Sequence, residues 1–313
     1  MSEDLDLLFS LPLPGRGHAA AAHPKRSEAV AFARRPGVFA MVVDCRTGEI
    51  AARLGAPKGR HFYGHGVFSR AGDRLFTTEN AYEDGVGVIG VWAADEGYRR
   101  IGEFHSGGVG PHDILRLPGS DMLVVANGGI DTHPDTGREK LNLATMRSNI
   151  SFLTEDGRVT AKWGLAEDQR LNSIRHLAVS ADGTVAFGCQ WQGDLSETPP
   201  LVGLCSQASP IELFETGSTA EIDLRGYVGG VAFSGDGRLI AATAPRGDGF
   251  ALFDCRDRRL SGVRYGRDVC GVAVAVGSFA YTTGGGEIGI ADDNGGSRRF
   301  DLSWDNHLIR IEA

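Results

Sequence analysis

Five of the nine histidines in this 313-residue chain, His18, His65, His112, His176 and His307, recur at one phase of the sequence. Imidazole ligates Fe, Zn, Cu and Ni, and it is the side chain whose ordinary titration falls near neutrality. Recurrence at a shared phase lets such groups converge on one point, which a lone histidine cannot do. Val228 and Gly271 hold the same phase, so a ring of imidazoles would be interrupted. The structural alternative is that each histidine bonds a neighbouring repeat or caps a turn. The functional reading takes His65, His112, His176 and His307 as ligands of a transition metal, iron or zinc. Each nitrogen would then lie about 2.0–2.1 Å from the ion. Arg175, directly before His176, disfavours a bare cation and favours an anionic chelate or carboxylate. Binding is expected to weaken as pH falls through about 6.5, where imidazole protonates.

A second group of polar residues falls where the second strand of each repeat would end. Glu79, Asn80, Asn127, Gln190 and Arg246, with Arg175 and Arg34-Arg35, would form a polar collar able to position a charged ligand. Asp131, His133, Asp135 and Glu139 are oxygen-rich at short spacing, but their order fits no EF-hand loop. Gly85-Val-Gly-Val-Ile-Gly90 matches the dinucleotide fingerprint by letter. With Trp92 continuing a strand and no helix following, a hairpin is expected there instead. The chain has no Gly-x-Ser-x-Gly elbow, no His-Glu-x-x-His and no P-loop.

The elements that must place these residues come from an internal repeat. Segments 64–78, 175–188 and 229–243 each read as a short apolar strand, a Ser-x-x-Gly or Ser-x-Asp-Gly turn and a second strand. A further hairpin follows in Phe39-Ala-Met-Val-Val-Asp-Cys-Arg and again in Phe250-Ala-Leu-Phe-Asp-Cys-Arg. First-strand starts fall near His18, His65, His112, His176, Val228, Gly271 and His307, at spacings of 47, 47, 64, 52, 43 and 36. The expectation is an all-β, seven-bladed β-propeller of four-stranded antiparallel blades forming a single domain over 1–313. Its ring would close between the N- and C-termini, with residues 6–13 supplying an outer strand to the blade that His307 begins. In that arrangement the long loops 79–88, 127–148, 190–201 and 244–249 share a face with the histidines. Long polar loops on a rigid scaffold commonly carry function.

Composition agrees with many tight turns: 45 glycines, about twice the usual share, with no collagen period. A net charge of −8 argues against nucleic acid or an anionic membrane as the main partner. Cys45, Cys189, Cys205, Cys255 and Cys270 are scattered and odd in number, with no Cys-x-x-Cys, so they read as small buried hydrophobes. No apolar run reaches the ~18 residues of a membrane span. The acidic start MSEDLDLLFSLPLPGRG lacks a basic signal region, which would mean a cytoplasmic protein if that start is genuine. A monomer is expected.

Gly64-His-Gly-Val-Phe-Ser, Gly110-Pro-His-Asp, Val125-Ala-Asn-Gly-Gly-Ile, the segment from Thr132 to Asn142, Ser173-Ile-Arg-His-Leu-Ala and Trp304-Asp-Asn-His-Leu carry a resemblance. From about Leu11 to its end the chain is similar to a bacterial family of uncharacterised exported propellers, domain of unknown function 1513. These accompany imelysin-type iron-uptake proteins and have quinoprotein-amine-dehydrogenase-β-chain-like, YVTN-type folds. The resemblance implies seven blades, twin-arginine export to the periplasm, and iron-uptake proteins as partners. It assigns no catalytic residue. The favoured function is a ligand-, metal- or partner-binding protein using the histidine face. The alternative is a metal-assisted hydrolase or lactonase-like enzyme, which would want several carboxylates where the repeats offer His, Val and Gly with Asp113 nearby.

Overall fold

The computed structural model describes residues 5–215, 224–292 and 295–311. Among them are six four-stranded antiparallel sheets, each a simple meander in chain order, the blade unit of a β-propeller. The first contains β1 (Gly17–Ala22), β2 (Glu28–Ala33), β3 (Phe39–Asp44) and β4 (Glu49–Gly55). The second contains β5 (Arg60–Phe68), β6 (Arg74–Ala81), β7 (Val86–Ala93) and β8 (Arg99–His105). In the third are β9 (Pro111–Arg116), β10 (Leu123–Asn127), β11 (Asn149–Leu153) and β12 (Val159–Gly164). The fourth has β13 (Asn172–Val179), β14 (Val185–Trp191), β15 (Val202–Cys205) and β16 (Glu212–Leu213). The fifth runs β17 (Gly230–Phe233), β18 (Leu239–Ala244), β19 (Gly249–Asp254) and β20 (Arg259–Tyr265). The last is β21 (Val269–Ala275), β22 (Ser278–Thr283), β23 (Glu287–Ile290) and β24 (Ser297–Arg299). The chain divides into two compact units, Leu11–Arg175 with the residues from Ile311, and His176–Arg310 with the residues up to Ser10.

Turn chemistry sets the meander. In the Ser-x-Asp-Gly turns the Ser234 hydroxyl donates to Asp236 at 2.6 Å and accepts the Leu239 amide at 2.9 Å. That closes the link between the first two strands of a sheet with local bonds alone. The paired Asp-Cys-Arg segments do end third strands: Asp44 and Asp254 each accept the amide two residues on, at 2.9 and 2.8 Å. Inner strands are buried on both sides, as in β10, whose five residues are all buried. In the first unit Phe32, Phe62 and Trp92 pack in one core, and Phe76, Ile114 and Leu123 in the next. Each such side chain contributes about 1.5–3 kcal/mol by leaving water.

The blade count differs from the sequence expectation. Six of the seven phased starts open a sheet, but His307 lies in a segment with no strand, and residues 6–13 form none either. The physical reason is pairing: a strand forms only against a hydrogen-bonded neighbour, and neither segment is paired into a sheet among the described residues. Instead, residues 304–306 lie against the start of β21, where the Cys270 thiol donates to the Asp305 carbonyl at 3.3 Å. The N-terminal stretch is tied by an Asp6–Arg298 ion pair to β24. The cysteines behave as expected: Cys189, Cys205 and Cys270 are buried, Cys45 and Cys255 half-buried, and all are free thiols. Burial pushes the Cys205 thiol up to about 12, which makes it inert. No helix among the described residues is long and apolar enough to cross a membrane.

Candidate functional site

β1, β5 and β9 are the first strands of three consecutive sheets, and they bring His18, His65 and His112 together. Their ring centroids form a near-equilateral triangle with sides of 5.0, 5.0 and 5.2 Å. One nitrogen from each lies within 4.8 Å of the others, and His65 and His112 are buried.

A shared irregularity aims these rings. The β1–β2 register breaks between Gly17 and Ala20, the β5–β6 register between Phe62 and Gly66, and the β9–β10 register at Pro111 to Asp113. Each histidine is therefore in a bulge, the device that turns a side chain away from the sheet's ordinary alternation. Gly64 makes the approach possible: its φ is +111°, and a Cβ there would come within 2.6 Å of the His18 ring.

The hydrogen bonds define which nitrogens are presented. The His65 Nδ1–H donates to Asp113 Oδ1 at 2.9 Å, and Asp113 Oδ1 also accepts the Ile114 amide at 2.8 Å. A carboxylate on Nδ1 leaves Nε2 as the basic, ligating atom, the arrangement that supports histidine at metal centres. His18 Nε2 and His112 Nε2 are 3.5 Å apart. Nitrogens about 2.0–2.1 Å from one tetrahedral ion are about 3.3–3.4 Å apart, so this edge fits. The remaining separations are no more than 4.8 Å. Arg175 Nη1 donates to His112 Nδ1 at 3.4 Å, placing a guanidinium at the rim of the triad.

His176 and His307 belong to the other unit, where their rings are 5.1 Å apart. The collar residues are dispersed over several roles. Glu79 is fully buried in a bidentate ion pair with Arg100, at 2.7 and 2.9 Å, and accepts the Thr77 hydroxyl at 2.6 Å. Burial opposes the Glu79 charge, and the guanidinium offsets that cost. Gly90 exists for this pair, since a Cβ there would meet Glu79 Oε1 at 2.0 Å. Of the fingerprint-like glycines, Gly87 and Gly90 are thus packing residues on β7, and Gly85 is in the turn before it. Asn80 donates to the Thr132 carbonyl at 2.9 Å, and Asn127 donates to Asn149 at 3.0 Å and the Ser106 carbonyl at 3.1 Å. Gln190 makes a backbone bridge with Tyr227, and Arg246 lies 4.6 Å from the Tyr227 ring centroid. Asp131, His133, Asp135 and Glu139 assemble no metal-ligand group among the described residues. His133 Nδ1 instead accepts the Asp135 amide at 3.2 Å.

The histidine phase also did not reveal a pair of buried hydroxyls in the same unit as the triad. The Tyr63 hydroxyl is buried next to Thr132, and neither hydroxyl completes a well-formed hydrogen bond. Burial pushes the Tyr63 phenol up, while Arg35 and Arg175 act on it as the nearby cations and Asp131 as the nearby anion. Burial also holds Arg35 below the usual guanidinium range, with Arg138 as a like charge nearby.

Repeated four-stranded antiparallel blades define a β-propeller. Residues 11–311 match the family model described as a protein of unknown function, DUF1513, and the chain belongs to that family. Among solved structures it resembles hydrazine synthase of Kuenenia stuttgartiensis, with a TM-score of 0.64 at 13% identity. That alignment covers 92% of this chain and 84% of the other, and it is a likeness of fold. None of the curated proteins compared matches the chain.

Proposed function

We propose that this protein binds a transition-metal ion through His18, His65 and His112, as a binding protein rather than a hydrolase. The observation that carries the reading is the triad itself: three imidazoles on consecutive first strands, one of them oriented by Asp113. Imidazole donors suit Fe, Zn, Cu and Ni. Three protein ligands leave coordination positions open, as at metal sites that exchange a ligand. A hydrolytic site would also need a general base facing the open position. The nearest carboxylate, Asp113, is already engaged with His65. The resemblance of the sequence to exported propellers that accompany iron-uptake proteins favours iron as the cargo and the periplasm as its place.

The reading is tested by titrating purified, untagged protein with Zn(II), Ni(II) and Co(II), alongside a His18→Ala, His112→Ala double variant. One ion per wild-type chain and none per variant is expected. Equal, weak uptake by both would leave the histidines as packing residues.

A further inference from the structure

Resting on that reading, we infer that the triad selects by oxidation state: it holds iron as Fe(II) and lets it go once the ion becomes Fe(III). Donor chemistry is the first argument. His18, His65 and His112 form a ligand group that no carboxylate or thiolate joins among the described residues. Asp113 meets the His65 ring at Nδ1, at 2.9 Å, and the same oxygen accepts the Ile114 amide at 2.8 Å. It therefore serves the ligand and not the ion. Neutral imidazole suits late divalent ions, whereas hard cations prefer oxygen donors, best of all charged ones. Fe(II) belongs with the former. Fe(III), smaller and more highly charged, belongs with the latter.

Burial is the second argument. His65 and His112 are 5% and 9% exposed, and His18 is half-buried. The cost of taking an ion out of water rises with the square of its charge, so it is about 2.25 times larger for a trivalent than for a divalent ion of equal size. Neutral nitrogens return less of that cost to the trivalent ion than charged oxygens would. Donor type and burial thus favour the same state.

The consequence is a redox linkage. Oxidation takes one electron from bound Fe(II), passes it to a one-electron acceptor, and leaves Fe(III) on ligands that hold it less tightly. A preference of about 100-fold for Fe(II) raises the midpoint of the bound ion by about 120 mV over iron in the same buffer, at about 59 mV per tenfold. The same ligands that admit the ferrous ion protect it from oxidation.

The test loads untagged protein anaerobically with one equivalent of Fe(II) in dilute citrate, then adds one equivalent of ferricyanide as the one-electron acceptor. Gel filtration before and after separates protein-bound iron from iron taken by citrate. About one iron per chain is expected before oxidation, and at least tenfold less after it. Protein loaded with redox-inert Zn(II) should keep its ion through the same treatment, which shows that the reagents leave the site intact. His18→Asp exchanges a neutral nitrogen for a charged oxygen. Iron should then stay after oxidation, with a high-spin ferric EPR signal in the protein fraction. Where that variant does not fold, the wild-type ratio decides by itself. Iron retained equally by wild type before and after oxidation, with the ferric signal on the protein, overturns this inference and leaves the metal reading standing. So does Zn(II) uptake without Fe(II) uptake. Failure of wild type to take up either ion overturns both.

Discussion

Asp113 Oδ1 lies 2.9 Å from Nδ1 of His65, although the two residues stand on first strands of different sheets. The bond holds the imidazole in one orientation and fixes Nε2 as its basic atom. Asp113→Asn keeps the shape but gives up the carboxylate. Metal affinity is expected to fall by about 10–100-fold, the usual effect of removing such a partner. Isothermal titration with Zn(II) measures it. An unchanged affinity would mean that Asp113 serves only the β9 turn.

Gly64 is the narrow point of the site. Alanine there would adopt a φ of +111° and push a methyl against His18. Gly64→Ala is expected to cost roughly 1–3 kcal/mol of stability from backbone strain. It should also spread the triad, lowering metal affinity more than stability alone explains. Urea midpoints with chelator present, compared with metal titrations, separate the two effects.

Glu79 offers the opposite contrast. Glu79→Gln leaves a buried guanidinium partly unpaired, although Glu103 still accepts from Arg100 at 2.6 Å. A loss of about 3 kcal/mol is expected, at the low end for a broken buried pair. Metal affinity should not change, because the Glu79 side chain is committed to Arg100 and Thr77. A large change in metal binding with normal stability would restore Glu79 to the ligand site.

Acid should destabilise the fold independently of metal. Burial lowers His61, aided by Arg35 and His133, while its bond to the Phe62 carbonyl opposes the shift. His61 is also packed against Tyr63, Tyr82 and Asn80. Burial lowers His23 as well, aided by Arg26 and opposed by the Gly72 carbonyl, Glu28 and Asp95. For a histidine lowered in the fold, the unfolded chain binds more protons below its ordinary value of about 6.5. Stability is therefore present above that pH and lost as pH falls below it. Urea midpoints with chelator present should decline from pH 6.5 downward, and less so in a His23→Asn, His61→Asn variant. A profile as steep in the variant as in wild type would locate the titration elsewhere.

Much of this was legible in the sequence because a propeller repeats short-range chemistry. Ser-x-Asp-Gly and Asp-Cys-Arg close turns with local bonds, so Ser234 and Asp254 announce their strands without knowledge of the fold. The histidine phase placed His65 and His112 correctly on first strands. His18 carried that phase too, and its membership in three consecutive repeats was the available signal that it belongs with them. The seventh blade failed because phase marks where a strand could start, while a sheet also needs a hydrogen-bonded neighbour, which phase does not encode. The pairing of Glu79 with Arg100 was not legible, because the two meet only through the β6–β7–β8 register. The bulges and the approach at Gly64 depend on long-range packing, and no pattern of residue types encodes them.

X-ray absorption at the metal edge of protein loaded with one equivalent of Zn(II) tests the central claim most directly. Three imidazole nitrogens at about 2.0–2.1 Å are expected, with a fourth position filled by a solvent oxygen. His18→Ala should reduce the imidazole count by one. A shell of oxygen donors, or a spectrum unchanged in His18→Ala, would contradict the account.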